Sequence, residues 1–192
     1  MEDIPSEAKF IGSIDIGTSS TRFTVYSDTG EMLVSHQTVV PRLTPHPEWI
    51  EQDPMELIGS VETCFHQVTK KLKAIGRTSR DVAAIGITNQ RETLIIWDKE
   101  TGKPLYNAII WCDNRNADLV SYFIDKYGTN RFQPKNGLPL STYFTATKVL
   151  WLRQNVPEIR AALENQTCRV GTVDTWIIYC LTGGQTFATD VS

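Results

Sequence analysis

The chain has 192 residues, 41% of them apolar and 21% charged, and a formal net charge of -3. That length suits one domain, or a domain with an unfinished edge, and the composition supports a hydrophobic core and excludes a disordered chain. The mildly acidic balance argues against a nucleic-acid or anionic-membrane surface, and no apolar run approaches the length of a membrane span.

Residues 1–9 read as a tail: Met1-Glu-Asp-Ile-Pro5 is acidic and has no hydrophobic signal core. The first apolar run, Phe10–Asp15, reads as a buried strand. It leads through Gly17, Thr18 and Ser19 into a second strand, Arg22–Ser27. Asp28-Thr-Gly30 is a hairpin turn and Glu31–Val40 a third strand, so the chain opens with an antiparallel meander. Pro41–Gln52 is a loop holding three prolines, with Trp49 expected to pin it to the domain. A helix follows, with Asp53 as N-cap and Pro54 at the first position. Leu57, Ile58, Val61, Cys64, Phe65, Val68 and Leu72 form its apolar face, and His66 falls outside that face. Lys70, Lys71 and Lys73, the only basic cluster, complement the dipole at its end.

Val82–Thr88 reads as a second buried strand, ending in Asn89-Gln-Arg-Glu-Thr93. Leu94–Trp97 is a further strand, and the apolar run Asn107–Trp111 leads to Asp113 and Arg115. Asn116–Lys126 reads as a helix ended by Gly128. Gly137–Leu140 is a turn, and Thr142–Gln154 and Pro157–Leu163 are helices. Cys168–Gly171 is a short strand. Thr172 then caps a helix running through Leu181 that is apolar nearly all round and therefore buried, and Phe187–Thr189 starts another strand. The pattern is an α/β domain on a mixed sheet with flanking helices. Cys64, Cys112, Cys168 and Cys180 form no C-x-x-C pair and the three histidines no H-x-x-x-H. Neither a disulfide framework nor a zinc site is indicated, and a reducing, cytoplasmic location fits.

Two stretches point to chemistry. In the turn after the first strand, Asp15 is an acceptor-only carboxylate suited to Mg²⁺ through water, Gly17 permits close backbone approach, and Thr18 and Ser19 offer hydroxyls. Successive turn N–H groups can hold an anion. A plain hairpin has the same composition, so the turn by itself leaves both readings open. The second stretch is Asn89–Thr93. Arg91 brings five donors in a fixed fork and Glu92 an acceptor, and together they can clasp neighbouring hydroxyls of a polyol. Neighbours on a strand point to opposite faces, so both reach one ligand only if the strand has ended and the chain turns. A surface Arg–Glu pair is the alternative. Trp111 and Tyr143 are candidates for an aromatic wall, or ordinary core aromatics.

With these residues in view the chain resembles the glycerol kinases of the FGGY family of carbohydrate kinases, over their N-terminal domain. The matching stretches are Ser13-Ile-Asp-Ile-Gly-Thr-Ser-Ser-Thr-Arg22, Trp49-Ile-Glu-Gln-Asp-Pro-Met-Glu56 and Ile85-Gly-Ile-Thr-Asn-Gln-Arg-Glu-Thr93. They continue with Trp97-Asp-Lys-Glu-Thr-Gly-Lys-Pro104, Tyr106-Asn-Ala-Ile-Ile-Trp111, Gly137-Leu-Pro-Leu-Ser-Thr-Tyr-Phe144 and Gly171-Thr-Val-Asp-Thr-Trp176. The resemblance runs from about Phe10 to Ser192. It implies an actin/hexokinase-like (ribonuclease H-like) fold and ATP-dependent phosphorylation of glycerol to glycerol 3-phosphate. By it, Asp15 organises Mg²⁺ and the phosphates, Gly17, Thr18, Ser19 and Arg22 line the phosphate turn, and Arg91, Glu92, Trp111 and Tyr143 hold glycerol. Ile16 stands where the family often has Gln, and Ser19 where Thr is usual.

The resemblance also sets limits. The family's general base lies beyond Ser192, so no catalytic residue is assigned, and Asp190 aligns with a different position. Residues 10–192 are expected to form a substrate and phosphate-turn domain that is incomplete at its C-terminal end, with the second, nucleotide-binding domain absent and the chain alone inactive. The partners implied are glycerol and ATP, with no nucleic acid or membrane, and the full-length form leaves room for a homo-oligomer. The alternatives are a truncated binding or regulatory module and a kinase for another polyol or sugar.

Overall fold

The computed structural model describes residues 10–190; the expected tail, residues 1–9, lies outside them, as do Val191 and Ser192. In chain order the elements are β1 (Phe10–Ile16), β2 (Ser20–Ser27), β3 (Met32–Val39), β4 (Glu51–Gln52), α1 (Pro54–Ala74), β5 (Val82–Asn89), β6 (Ile95–Asp98) and β7 (Ala108–Ile109). There follow α2 (Ala117–Tyr127), α3 (Gln133–Asn136), α4 (Thr145–Asn155), α5 (Pro157–Glu164), β8 (Cys168–Gly171) and α6 (Val173–Leu181). They divide into two compact units. The first joins the residues up to Pro41 with Met55–Gln90, and the second joins Arg42–Pro54 with the chain from Arg91 onward.

The first unit is a four-stranded mixed sheet in the order β3-β2-β1-β5, in which β1 is antiparallel to β2 and parallel to β5. The meander expected of the first three strands is therefore present. Ile14, Ile16, Phe23 and Val25 are buried on the sheet, and Leu57, Val61, Cys64, Val68 and Leu72 on α1. Each large aliphatic side chain buried in this way contributes about 1.5–3 kcal/mol relative to exposure. Polar contacts fix the helix on β2: Ser60 Oγ donates to Thr21 Oγ1 at 2.7 Å, and the Cys64 thiol to the Thr21 carbonyl at 3.4 Å. The Phe23 and Phe65 rings meet edge to face with centroids 4.7 Å apart. Gly12 makes room for that ring: a Cβ there would lie 2.7 Å from a Phe23 ring carbon and 3.1 Å from Ile85 Cγ1. His66 is exposed.

β5 departs from expectation. It is a strand but not a buried one: Ala84, Ile85, Gly86 and Thr88 are exposed, Ile85 by 47%. Its apolar run suggested burial on both faces, yet among the described residues it pairs only with β1 and forms the sheet edge.

The second unit holds two antiparallel pairs, β4 with β7 and β6 with β8. Leu94, Ile96, Ile109, Leu152 and Ile159 form its core, with Val149, Trp151 and Val170 packed against them. α6 is buried from Val173 to Ile177, as its largely apolar sequence leads one to expect, and the polar Asp174 and Thr175 are buried with it. Three local expectations are corrected. α4 begins at Thr145 rather than Thr142, because Phe144 is extended (φ -74°, ψ 139°). A short helix, α3, precedes Gly137, which is left-handed at φ +78°. Phe187–Thr189 forms no strand: the Phe187 ring instead packs against Trp97, with centroids 5.8 Å apart. All four cysteines are free thiols.

Candidate functional site

In the first unit β1 and β5 are parallel neighbours, so their carboxyl ends emerge together, the place where open α/β sheets bind ligands. The Gln90 N–H donates to the Ile16 carbonyl at 2.8 Å and extends this pairing to the start of the turn. Within the turn the Gly17 N–H closes onto the Ser20 carbonyl at 2.9 Å, so that amide is committed internally. A Cβ at Gly17 would lie 3.3 Å from the same carbonyl, so the tightness of the turn favours glycine. Thr18 is partly buried and Ser19 is exposed.

Asp15 pairs in register with Arg22 on one side and Thr88 on the other, and Arg22 pairs with Gln37. Cross-strand partners share a face, so Gln37, Arg22, Asp15 and Thr88 make an exposed polar row across all four strands. Arg22 is drawn toward β3: Nε and Nη2 both donate to Gln37 Oε1, at 3.2 and 2.7 Å. Gln37 Nε2 in turn donates to Ser20 Oγ at 2.8 Å. The Asp15 carboxylate has no hydrogen-bond or ion-pair partner among the described residues. No cluster of three or more His, Cys, Asp or Glu side chains suited to a metal exists among those residues. A single free carboxylate fits the habit of Mg²⁺, which keeps several waters and is bound through one or two carboxylates plus phosphate oxygens.

In the second unit, Arg91 and Glu92 lie in a turn and not on a strand. Glu92 takes φ 62°, a left-handed conformation that few residues other than glycine adopt and that clusters at functional sites. The guanidinium of exposed Arg91 has no partner among the described residues. Glu92 uses one oxygen to hold the start of α4: Oε2 accepts from the Thr145 N–H and from Thr145 Oγ1, each at 2.7 Å. Its other oxygen, Oε1, is uncommitted among the described residues. Trp111 is 38% exposed and its ring faces Tyr143 at 6.0 Å between centroids and 67° between planes. The Trp111 N–H donates to buried Thr93 Oγ1 at 3.2 Å. The second unit thus gathers Glu92, Trp111 and Tyr143 around the first turn of α4.

Two buried charges to which local sequence reading gave no role support this arrangement. Lys148 on α4 is fully buried, and its ammonium donates to the carbonyls of Trp111 (3.4 Å), Thr142 (3.1 Å) and Tyr143. Burial pushes its pKa down to about 8, against the opposing charges of Glu92 and Asp113. The local signal is slight: Lys148 lies four residues before Leu152, which is buried on the same helix. The second is Arg115. It pairs with Glu51 and Asp113 at 2.8 Å each and lies 4.1 Å from the Trp49 ring and 5.3 Å from that of Trp151. Burial opposes its charge, but hydrogen bonds to Asp113 and Glu51 outweigh burial and raise its pKa. Trp49 is thereby pinned, as expected of it. Asp113 Oδ2 also accepts the Ile50 N–H at 2.6 Å.

The second unit also contains a cavity of about 960 Å³, mostly apolar, with Phe123, Phe132, Leu150 and Phe187 among its walls. It meets the polyol candidates only at Glu92. A small polar ligand is better matched by the Arg91–Glu92 turn than by that cavity.

The family model for the N-terminal domain of the FGGY family of carbohydrate kinases matches residues 10–192. A probable glycerol kinase of Caenorhabditis elegans is 47% identical over 186 residues, covering 95% of this chain and 37% of that protein. The crystal structure of Plasmodium falciparum glycerol kinase with ADP matches at 40% identity and a TM-score of 0.84, covering 91% of this chain and 34% of that one. A ligand-bound xylulose kinase of Lactobacillus acidophilus, 22% identical with a TM-score of 0.79, covers 90% of this chain and 33% of that one and bears on the fold alone. The chain therefore spans little more than a third of the length of these relatives. The fold is the actin/hexokinase-like one expected, built on a mixed sheet with flanking helices.

Proposed function

The chain belongs to the FGGY family of carbohydrate kinases, and from that premise we propose that it is the N-terminal portion of an ATP-dependent glycerol kinase, supplying the glycerol-holding residues and the phosphate turn. The observation that carries this reading is the Arg91–Glu92 turn. The strand has ended, Glu92 is bent into the left-handed region, and consecutive residues of the turn carry a guanidinium and a carboxylate oxygen that are uncommitted among the described residues. A donor fork beside an acceptor matches the two adjacent hydroxyls of glycerol. Trp111 and Tyr143 offer apolar surface to its CH groups and a phenol for a further hydrogen bond. Such pairing discriminates strongly, because a substrate lacking a hydroxyl leaves the site's polar groups unsatisfied.

In the first unit Asp15 would hold Mg²⁺ through water, Thr18 and Ser19 would offer hydroxyls to phosphate oxygens, and Arg22 would supply positive charge to the same face. The chemistry supplied by such an ion would be neutralisation of charge on the phosphates. The general base and the larger part of the nucleotide site are assigned to the other two-thirds of a protein of the relatives' length, as is any homo-oligomeric assembly. A cytoplasmic location goes with the reading, and no helix of the described residues is long and apolar enough to cross a membrane.

The test uses the 192-residue chain. Titration with glycerol, followed by tryptophan fluorescence, is expected to show weak saturable binding at millimolar glycerol that is lost in Arg91→Ala. A coupled assay for glycerol 3-phosphate with ATP is expected to show no turnover, since loss of a general base alone costs about 10²–10⁴-fold. Clear turnover overturns the division of labour, and glycerol binding indifferent to Arg91→Ala overturns the site.

A further inference from the structure

We propose that Lys148 is the positioning residue of the polyol site: its ammonium draws the main-chain carbonyls of Trp111 and Tyr143 to one point and so sets the two aromatic rings relative to each other. The inference rests on the reading of these rings as the wall of the glycerol site. Its own basis is geometric. Trp111 follows β7 and Tyr143 precedes α4, and the two are 32 positions apart in the chain. Lys148 joins them, donating to Trp111 O at 3.4 Å, to Thr142 O at 3.1 Å and to Tyr143 O. An ammonium has three donors and no acceptor, so three converging carbonyls use it fully. Thr142 is held a second time, its carbonyl by Asn116 Nδ2 at 3.1 Å and its hydroxyl by Asn114 Oδ1 at 2.9 Å. Glu92 is fastened to the same turn of α4 through Thr145. Three of the four glycerol candidates thus hang on one helical turn, and Lys148 touches the main chain of two of them.

Neutralisation of Lys148 removes one of its three donors, so one carbonyl loses its partner. The groups acting on the ammonium are Glu92 from the preceding turn, Cys112, Asp113 and Arg115 from the segment after β7, and Tyr143, whose ring centroid lies 6.0 Å away. Its pKa of about 8, against an ordinary 10.5, sets the sign of two effects. Above about pH 8 the folded chain gives up this proton while the unfolded chain keeps it, so Lys148 makes stability rise with pH up to the ordinary lysine range. Ring placement, and with it glycerol affinity, falls over the same interval. A lysine with only a structural role would make affinity follow stability.

The experiment labels the 192-residue chain with 5-fluorotryptophan, whose five tryptophans give five fluorine signals, and assigns that of Trp111 with Trp111→Phe. In Lys148→Met the Trp111 signal is expected to shift or broaden while those of Trp97 and Trp176 stay in place, and glycerol affinity to fall about tenfold or more, the scale on which loss of a supporting contact is felt at a bound ligand. If Lys148→Met does not fold, the parent chain is titrated from neutral to alkaline pH, where the Trp111 signal is expected to move with a midpoint of about 8. A Trp111 signal unmoved in folded Lys148→Met, or unmoved across the titration, overturns the proposal. Loss of glycerol binding in the parent chain, with the Trp111 signal still responding to Lys148, overturns the glycerol reading and leaves the positioning role standing.

Discussion

At Glu92 one carboxylate has two employments. Its Oε2 caps α4 through Thr145, and its Oε1 remains for a ligand. Arg91, beside it, is exposed and has no structural partner among the described residues. The two substitutions are therefore expected to separate. Arg91→Ala changes thermal stability by no more than about 0.5 kcal/mol and removes glycerol binding. Glu92→Ala removes binding as well, but also lowers stability by about 1 kcal/mol, as loss of an N-terminal cap does. Thermal denaturation beside glycerol titration checks both, and equal melting temperatures for the two variants would contradict the assigned cap. Arg91, Glu92 and Trp111 could be nominated from residue type and position after an apolar strand, and Tyr143 from its place before a helix. The residues alone left a surface pair and core aromatics open, and only the family resemblance implied glycerol. The dual use of Glu92 was not legible, since its partner is 53 positions away. Lys148 was missed for a different reason: a lysine within a helix is usually solvated, and only its spacing of four from buried Leu152 marks it.

Among the elements, the first three strands and α1 followed their sequence closely. The apolar runs and turn residues of the first three strands and the Asp53-Pro54 punctuation of α1 are local signals, and local signals are what sequence patterns carry. The departures have non-local causes. The start of α4 is held by Glu92 from outside the helix, so Thr142 was free to serve as an anchor instead. β5 has the composition of a central strand and the place of an edge strand. The fit of β1 against β2 gives a sharp prediction. Gly12→Ala puts a methyl 2.7 Å from the Phe23 ring, which is itself held edge-on by Phe65. With no room to yield, overpacking of this kind costs about 1–3 kcal/mol, measured by denaturant unfolding. An unchanged unfolding midpoint would show that the ring can move aside and that the sheet-to-helix packing is looser than described.

On the scale of the whole molecule, the resemblance visible in motifs spread from Phe10 to Ser192 is matched by a family-wide correspondence over residues 10–192. What motifs did not disclose is the division of the chain into two units, with Asp15, Gly17, Thr18, Ser19 and Arg22 in one and Arg91, Glu92, Trp111 and Tyr143 in the other. That division follows from which segments pack together and leaves no mark in local composition. The length relation to the relatives makes the decisive test one of function in a complete context. This chain is substituted for the matching N-terminal third of the Caenorhabditis elegans relative, and phosphorylation is measured with ATP against glycerol, xylulose and gluconate. ATP-dependent formation of glycerol 3-phosphate is expected in preference to the other products, reduced by about 100-fold or more with Arg91→Ala. A folded chimera that phosphorylates xylulose or gluconate but not glycerol, or whose glycerol turnover is indifferent to Arg91→Ala, would contradict it.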